Sequence, residues 1–137
     1  MKLLLLALPL FLLTSLNAKD VVLDTTTSLL WQDAQDNKDL AMTFFEATDY
    51  CSKLKVKQYQ DFRLPTLNEL QTIIDYKNYK PAVLTGFLNA ANETYWSTTP
   101  FADDSSEVWT INFKKGERSV KGKHYSRNLR CVQKIKK

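Results

Sequence analysis

Apolar residues along this chain fall into three kinds of pattern. Leu3 to Leu13 is a continuous run broken only by Pro9. It follows the positive start Met1-Lys2 and is shorter than the roughly 18 residues a membrane-spanning helix needs. Further on, apolar positions take the helical period. Ala47, Tyr50, Cys51 and Leu54 recur at i, i+3, i+4 and i+7, one face of a helix. Leu67, Leu70, Ile73 or Ile74, and Tyr76 supply a second stripe that ends before Pro81. Elsewhere the pattern is β. Val21 to Leu23 and Leu29 to Trp31 flank the turn region Asp24-Thr25-Thr26-Thr27 and predict a hairpin. Thr94 to Thr98, Val108 to Phe113 and Leu129 to Val132 predict further strands. Lys114-Lys115-Gly116-Glu117 reads as a turn into a strand near Arg118 to Lys121. Two helices early and strands late argue for an α+β domain rather than alternating βαβ units.

Both helices carry a start signal. Thr43-Phe44-Phe45-Glu46 and Thr66-Leu67-Asn68-Glu69 each fit a capping box, in which the threonine accepts from a free backbone N–H and the glutamate reaches back. Before the second, Pro65 disfavours helix at Leu64, so Asp61-Phe62-Arg63 enters extended, with side chains alternating in direction. Arg63, with five donors in a fixed fork, is expected to pair with a carboxylate or backbone carbonyls at this joint. A structural brace is the reading preferred over a ligand contact.

The N-terminal run, followed by Thr14-Ser15 and then Leu16-Asn17-Ala18 before Lys19-Asp20, has the order of a secretory signal peptide cleaved near Ala18. Residues 1–18 are therefore expected to leave a mature chain, residues 19–137, that is periplasmic or secreted and has no transmembrane segment. That length suits one domain burying about two-thirds of its unfolded surface. Export makes a bridge between Cys51 and Cys131 the default reading of the two cysteines. A reactive Cys51 would need an activating base, and the one histidine is His124.

Charge is divided unevenly. Residues 114–137 hold ten lysines and arginines against one acid, Glu117, whereas residues 19–113 hold eight bases and fourteen acids. Lys114, Lys115, Arg118, Lys121 and Lys123 flank the turn, with Arg127 and Arg130 on the next strand. Some of these charges are expected on one face of the sheet, offering an anionic ligand a basic surface that Tyr125 extends. Pairing with the domain's own acidic half is the competing reading. Phe101, near a loop, is a second candidate for exposed aromatic contact.

The series Trp31, Tyr50-Cys51, Asp61-Phe62-Arg63-Leu64-Pro65-Thr66 and Glu69-Leu70 resembles the Lcl C-terminal-like domain. So do Tyr95-Trp96-Ser97-Thr98, Trp109 to Phe113 with Gly116, and Leu129-Arg130-Cys131-Val132. Phe62 departs from the tryptophan usual in that family, and Gln58 from a common glycine. The resemblance implies a compact C-type-lectin-like α+β domain in which a disulfide ties the first helix to the last strand. It implies structural roles for Trp31, Trp96 and Trp109, and a variable ligand-facing loop within Ala82 to Ser106. Such domains cap some bacterial collagen-like adhesins. Calcium-dependent sugar binding is not implied, because the tripeptides of calcium-binding lectins are missing from the chain. The Arg-Leu-Pro-Thr stretch is also similar to formylglycine-generating enzymes, whose activity needs additional cysteines.

No cofactor or metal is expected. Asp103, Asp104 and Glu107 fall with Ser105 and Ser106 in an apparent loop, where hard cations would need six to eight oxygens and a solvated acidic loop is the plainer reading. One histidine and two distant cysteines do not make a zinc site. Three glycines make no phosphate loop, and no nucleophile–base arrangement can be assembled around His124. The expectation is thus a non-catalytic exported module binding an anionic polysaccharide or another envelope component. A small periplasmic protein docking on a protein partner is the alternative. Nucleic acid is not expected, given export and the lack of a recognised binding motif.

Overall fold

The computed structural model describes residues 20–136; the expected signal peptide lies outside them. Strand β1 (Val21–Asp24) pairs antiparallel with β2 (Leu29–Gln32) across the predicted turn. A short 3-10 turn (Gln35–Lys38) and the two-residue strand β3 (Ala41–Met42) lead into helix α1 (Phe44–Lys53). Helix α2 (Leu67–Thr72) follows, then β4 (Thr94–Phe101), β5 (Asp104–Asn112) and β6 (Glu117–Gly122). The chain closes with β7 (Arg127–Asn128) and β8 (Val132–Lys134). Two sheets result, one in the order β1-β2-β8 and one in the order β3-β7-β4-β5-β6. Among the described residues no helix is long and apolar enough to cross a membrane.

Both helices start at the capping boxes. Thr43 Oγ1 accepts from the Glu46 N–H at 3.3 Å, and Glu46 Oε2 accepts from the Thr43 N–H at 3.3 Å. At α2 the equivalent contacts are 3.1 Å and 2.9 Å. Helix α2 is shorter than the apolar stripe predicts. Adjacent β-branched Ile73 and Ile74 favour extended backbone, and Ile74 leaves the helix to bridge Val83. Tyr76, expected on the buried stripe, is instead 76% exposed.

The last strand also differs from its prediction. Leu129, Arg130 and Cys131 are not a strand but a buried crossing from β7 in the larger sheet to β8 in the smaller one. The change of sheet surrounds these residues with protein on all sides, so an alternating in–out pattern cannot hold there. Cys51 of α1 and Cys131 of this crossing form the disulfide, with Cα atoms 5.4 Å apart.

Apolar packing divides into two clusters. One gathers Trp31, Leu67, Leu70, Ile73, Tyr95, Ile111 and Phe113; the other gathers Leu30, Ala47, Cys51, Leu64, Trp96, Val108 and Leu129. Neighbouring residues of one strand, Leu30 and Trp31 or Tyr95 and Trp96, enter opposite clusters. Strand β2 and the first half of β4, Thr94 to Ser97, are thus covered on both faces, which is why each carries consecutive apolar residues. Burying each large side chain contributes about 1.5–3 kcal/mol. Trp96 adds a polar anchor, its Nε1–H donating to the Met42 carbonyl at 2.9 Å.

The expected ligand loop within Ala82 to Ser106 is only half a loop, since residues from Thr94 onward form the β4–β5 hairpin. Asp103 sits at the hairpin tip, while Asp104 and Glu107 belong to β5, so the acidic stretch is not the single loop predicted. Among the described residues no group of three or more His, Cys, Asp or Glu could hold a metal ion.

Candidate functional site

The basic segment is spread over the molecule rather than gathered on one face. Lys114 and Lys115 project from the β5–β6 turn. On β6, Arg118 lies opposite Ile111 and Lys121 opposite Val108. Residues paired across antiparallel strands share a face and successive residues alternate, so Arg118 and Lys121 stand on opposite sides of the sheet. Arg118 lies 6.0 Å from the half-buried Trp109 ring, on which Phe101 also packs edge-on at 5.7 Å. Phe101 is therefore partly covered by this contact and half-buried. Beyond β6, Lys123 Nζ is 5.2 Å from the Phe44 ring and the Arg127 guanidinium 5.8 Å from Tyr125, which is 65% exposed. Lys134 and Lys136 border a groove of about 380 Å³ with Gln58, Tyr59, Asp61 and Arg63.

Arg130 corrects the expected surface most sharply. Its side chain is 1% exposed and pairs with the equally buried Asp33 at 2.9 Å. Its guanidinium also donates to the carbonyls of Gln32 and Asn89, the latter at 2.8 Å. Asp33 is fully occupied in turn, accepting from the backbone N–H groups of Leu88 and Asn89 at 2.9 Å and 3.0 Å. Phe87 covers the cation at 5.0 Å. This network pins the loop at residues 87–89 to the end of β2. A buried charge pair of this kind holds only when its remaining donors and acceptors are met. Here the two backbone carbonyls meet the arginine and the two N–H groups meet the aspartate.

Arg63 occupies the joint before α2. Its two terminal nitrogens reach the two oxygens of Glu69 at 2.6 Å and 2.8 Å, a bidentate pair, and one also reaches the Leu64 carbonyl at 3.3 Å. Glu69 thus caps α2 and braces Arg63 with the same carboxylate. Burial alone would push that carboxyl up, yet hydrogen bonds from Arg63 and from Thr66 hold it below the usual range. Arg63, hydrogen-bonded to Glu69, is raised in turn. Pro65 contributes its carbonyl, which accepts from the Thr98 N–H at 2.8 Å and ties the joint to β4.

Three ion pairs occur among the described residues: Lys53–Asp49, Arg63–Glu69 and Arg130–Asp33. None of Lys114, Lys115, Arg118, Lys121, Lys123 and Arg127 takes part in one. Pairing with the acidic half accounts for Arg130 alone. The Arg127 Nε is buried without a hydrogen-bond partner among the described residues.

One exposed group was missed from the sequence. Tyr76 and Tyr79 are 76% and 59% exposed, on a segment whose Lys80 N–H donates to the Lys114 carbonyl at 3.3 Å. The spacing of tyrosine and lysine in Tyr76-Lys77-Asn78-Tyr79-Lys80 was a legible signal, masked by assigning Tyr76 to the helix stripe.

The family model described as the Lcl C-terminal domain matches residues 20–133. No curated protein matches the chain.

Proposed function

The chain belongs to the Lcl C-terminal domain family, and from that premise we propose an exported, non-catalytic binding module that recognises an anionic glycan or another anionic envelope component. One observation carries this reading. Six cations, at Lys114, Lys115, Arg118, Lys121, Lys123 and Arg127, have no ion-pair partner among the described residues. Positive charge left without an internal partner raises the local concentration of polyanions, with an affinity that falls as salt rises. The disulfide is compatible with an oxidising compartment.

The test is retention of the mature protein on a heparin column at low salt. Retention that weakens with salt, and weakens again in Lys114→Glu plus Lys121→Glu with the melting temperature unchanged, is the expected result. Passage without retardation would remove the anionic-glycan reading and leave docking on a protein partner ahead.

A further inference from the structure

We propose that residues 75–81 and the β5–β6 turn together form a sugar-stacking subsite for an acidic polysaccharide. Tyr76 and Tyr79 offer ring faces to its pyranose units, and Lys77, Lys80, Lys114 and Lys115 take its negative groups. The inference rests on the binding reading above and gives it a place and a ligand chemistry.

Exposure of two tyrosines on one short segment is the first observation. Aromatic rings are among the largest contributors to core and interface packing. Here Tyr76 and Tyr79 are 76% and 59% exposed. Looseness of the loop is not the cause, because its backbone is held at several points. The Ala82 N–H donates to the Phe113 carbonyl at 2.6 Å, the Lys80 N–H to the Lys114 carbonyl at 3.3 Å, and the Asp75 N–H to the Ala82 carbonyl at 3.2 Å. Asn78 Nδ2 donates to the Val83 carbonyl at 2.8 Å, and Asp75 Oδ1 accepts from the Lys77 N–H at 2.9 Å. Ordering the loop backbone on binding therefore costs little, which favours affinity.

The second observation is the joining of aromatic and cationic groups from distant parts of the chain. Lys80 Nζ lies 4.9 Å from the Tyr79 ring centre. Tyr76 lies against the turn that carries Lys114 and Lys115, so close that a Cβ on Gly116 would stand 3.1 Å from its Cε1. None of the four lysines has an ion-pair partner among the described residues. Asp75, the nearest acid on the loop, spends its carboxylate on the Lys77 N–H and the Asn78 side chain. Two exposed acids border the turn, Glu117 at its far side and Glu93, whose carbonyl accepts from the Phe113 N–H at 3.0 Å.

Flat rings among point charges on an open surface suit a polysaccharide better than a peptide. A sugar ring can stack on an exposed aromatic face, whereas peptide anchors need a desolvated pocket around a buried side chain. The lysine ammonium, a compact charge rather than a planar fork, accepts uronate and sulfate alike.

The experiment is calorimetric titration of the mature protein at two salt concentrations. The probes are alginate (a polyuronate), dextran sulfate, neutral dextran and poly-glutamate. Alginate or dextran sulfate is expected to bind, and which binds more tightly separates uronate from sulfate as the preferred group. Tyr76→Ala plus Tyr79→Ala should weaken that binding roughly tenfold, the loss expected for two stacked rings, and leave its salt dependence unchanged. Lys114→Glu plus Lys115→Glu should weaken it and flatten the salt dependence. Melting temperature, read on both variants, should stay at that of the unsubstituted protein, because these side chains are exposed. Unaltered affinity in the tyrosine variant overturns the subsite and leaves the anionic-glycan reading standing. Tighter binding of poly-glutamate than of either acidic polysaccharide overturns it in favour of an acidic protein partner. If the unsubstituted protein binds none of the charged probes, both the reading and the subsite fail.

Discussion

Arg130 and Lys114 belong to the same basic segment, and the fold treats them in opposite ways. Arg130 lies in the crossing between the sheets, one residue from the disulfide, with Asp33, two carbonyls and the Phe87 ring around it. Lys114 projects from the β5–β6 turn beside Tyr76 with no ion partner among the described residues. The first region spends its charge inside the molecule, holding a loop in place. The second leaves its charge available. Positive residues in one stretch of chain are therefore not one functional surface, and burial decides which of them a ligand can reach.

The disulfide offers the largest perturbation of the buried region. Cys51→Ser plus Cys131→Ser removes a link across a sequence separation of 80 residues. Loop-closure entropy for that span gives a loss of about 4.5 kcal/mol. Urea denaturation should show the midpoint fall accordingly, and an unchanged midpoint would mean the link adds nothing to the packing already holding α1.

Next in size is Arg130→Ala, which leaves Asp33 buried without its cation. Breaking a buried pair from one side costs about 3–5 kcal/mol. Hydrogen exchange at the Leu88 and Asn89 amides should rise with it, because both donate to Asp33. A variant with native stability and native protection there would erase the distinction between the two regions.

Arg63 stands between the extremes, half in solvent but bound at both tips. After allowance for exposure, Arg63→Ala is expected to cost about 1 kcal/mol, a loss of a few degrees in melting temperature. Its pH dependence has a definite sign. Glu69 titrates below its ordinary range in the folded protein, so the stability it contributes is fully present above the unfolded value of about 4.5. That contribution is lost as pH falls through the folded value. The difference between Arg63→Ala and the unsubstituted protein should shrink correspondingly as pH falls from about 4.5 through the folded value, and thermal melts at pH 7 and at acid pH measure it. A native melting temperature with lost ligand binding would make Arg63 a ligand contact instead of a brace.

Smallest for stability is Lys114→Glu plus Lys121→Glu, expected within about 0.5 kcal/mol of the unsubstituted protein because both positions are on the surface. Comparable thermal melts beside a changed heparin elution would place the charge on the binding side of the comparison. Unfolding of this variant would place it on the structural side.

Much of the fold was legible along the chain. The two capping boxes, the β1–β2 hairpin and the β5–β6 turn rest on contacts within a few residues, where local stereochemistry is sufficient. The arginine at the helix joint was expected to find a carboxylate, although not the one already capping the helix. The candidate surface was legible as a charge imbalance and nothing finer. Alternation along β6 puts Arg118 and Lys121 on opposite faces, but which face each one takes depends on how β6 pairs with β5.

What the amino-acid order determined by itself is thus local: helix starts, turns, the α+β succession and the two cysteines available to each other. The tertiary structure decided the rest. Leu129 to Cys131 leaves strand geometry because the chain must pass from one sheet to the other. Tyr76 faces solvent because Ile74 turns away to meet Val83. Arg130 is buried because Asp33, 97 residues earlier, waits at the end of β2 with the backbone of the 87–89 loop around it. The desolvation of a charge is offset only by partners the fold assembles, and the spacing of residues along the chain carries no record of them.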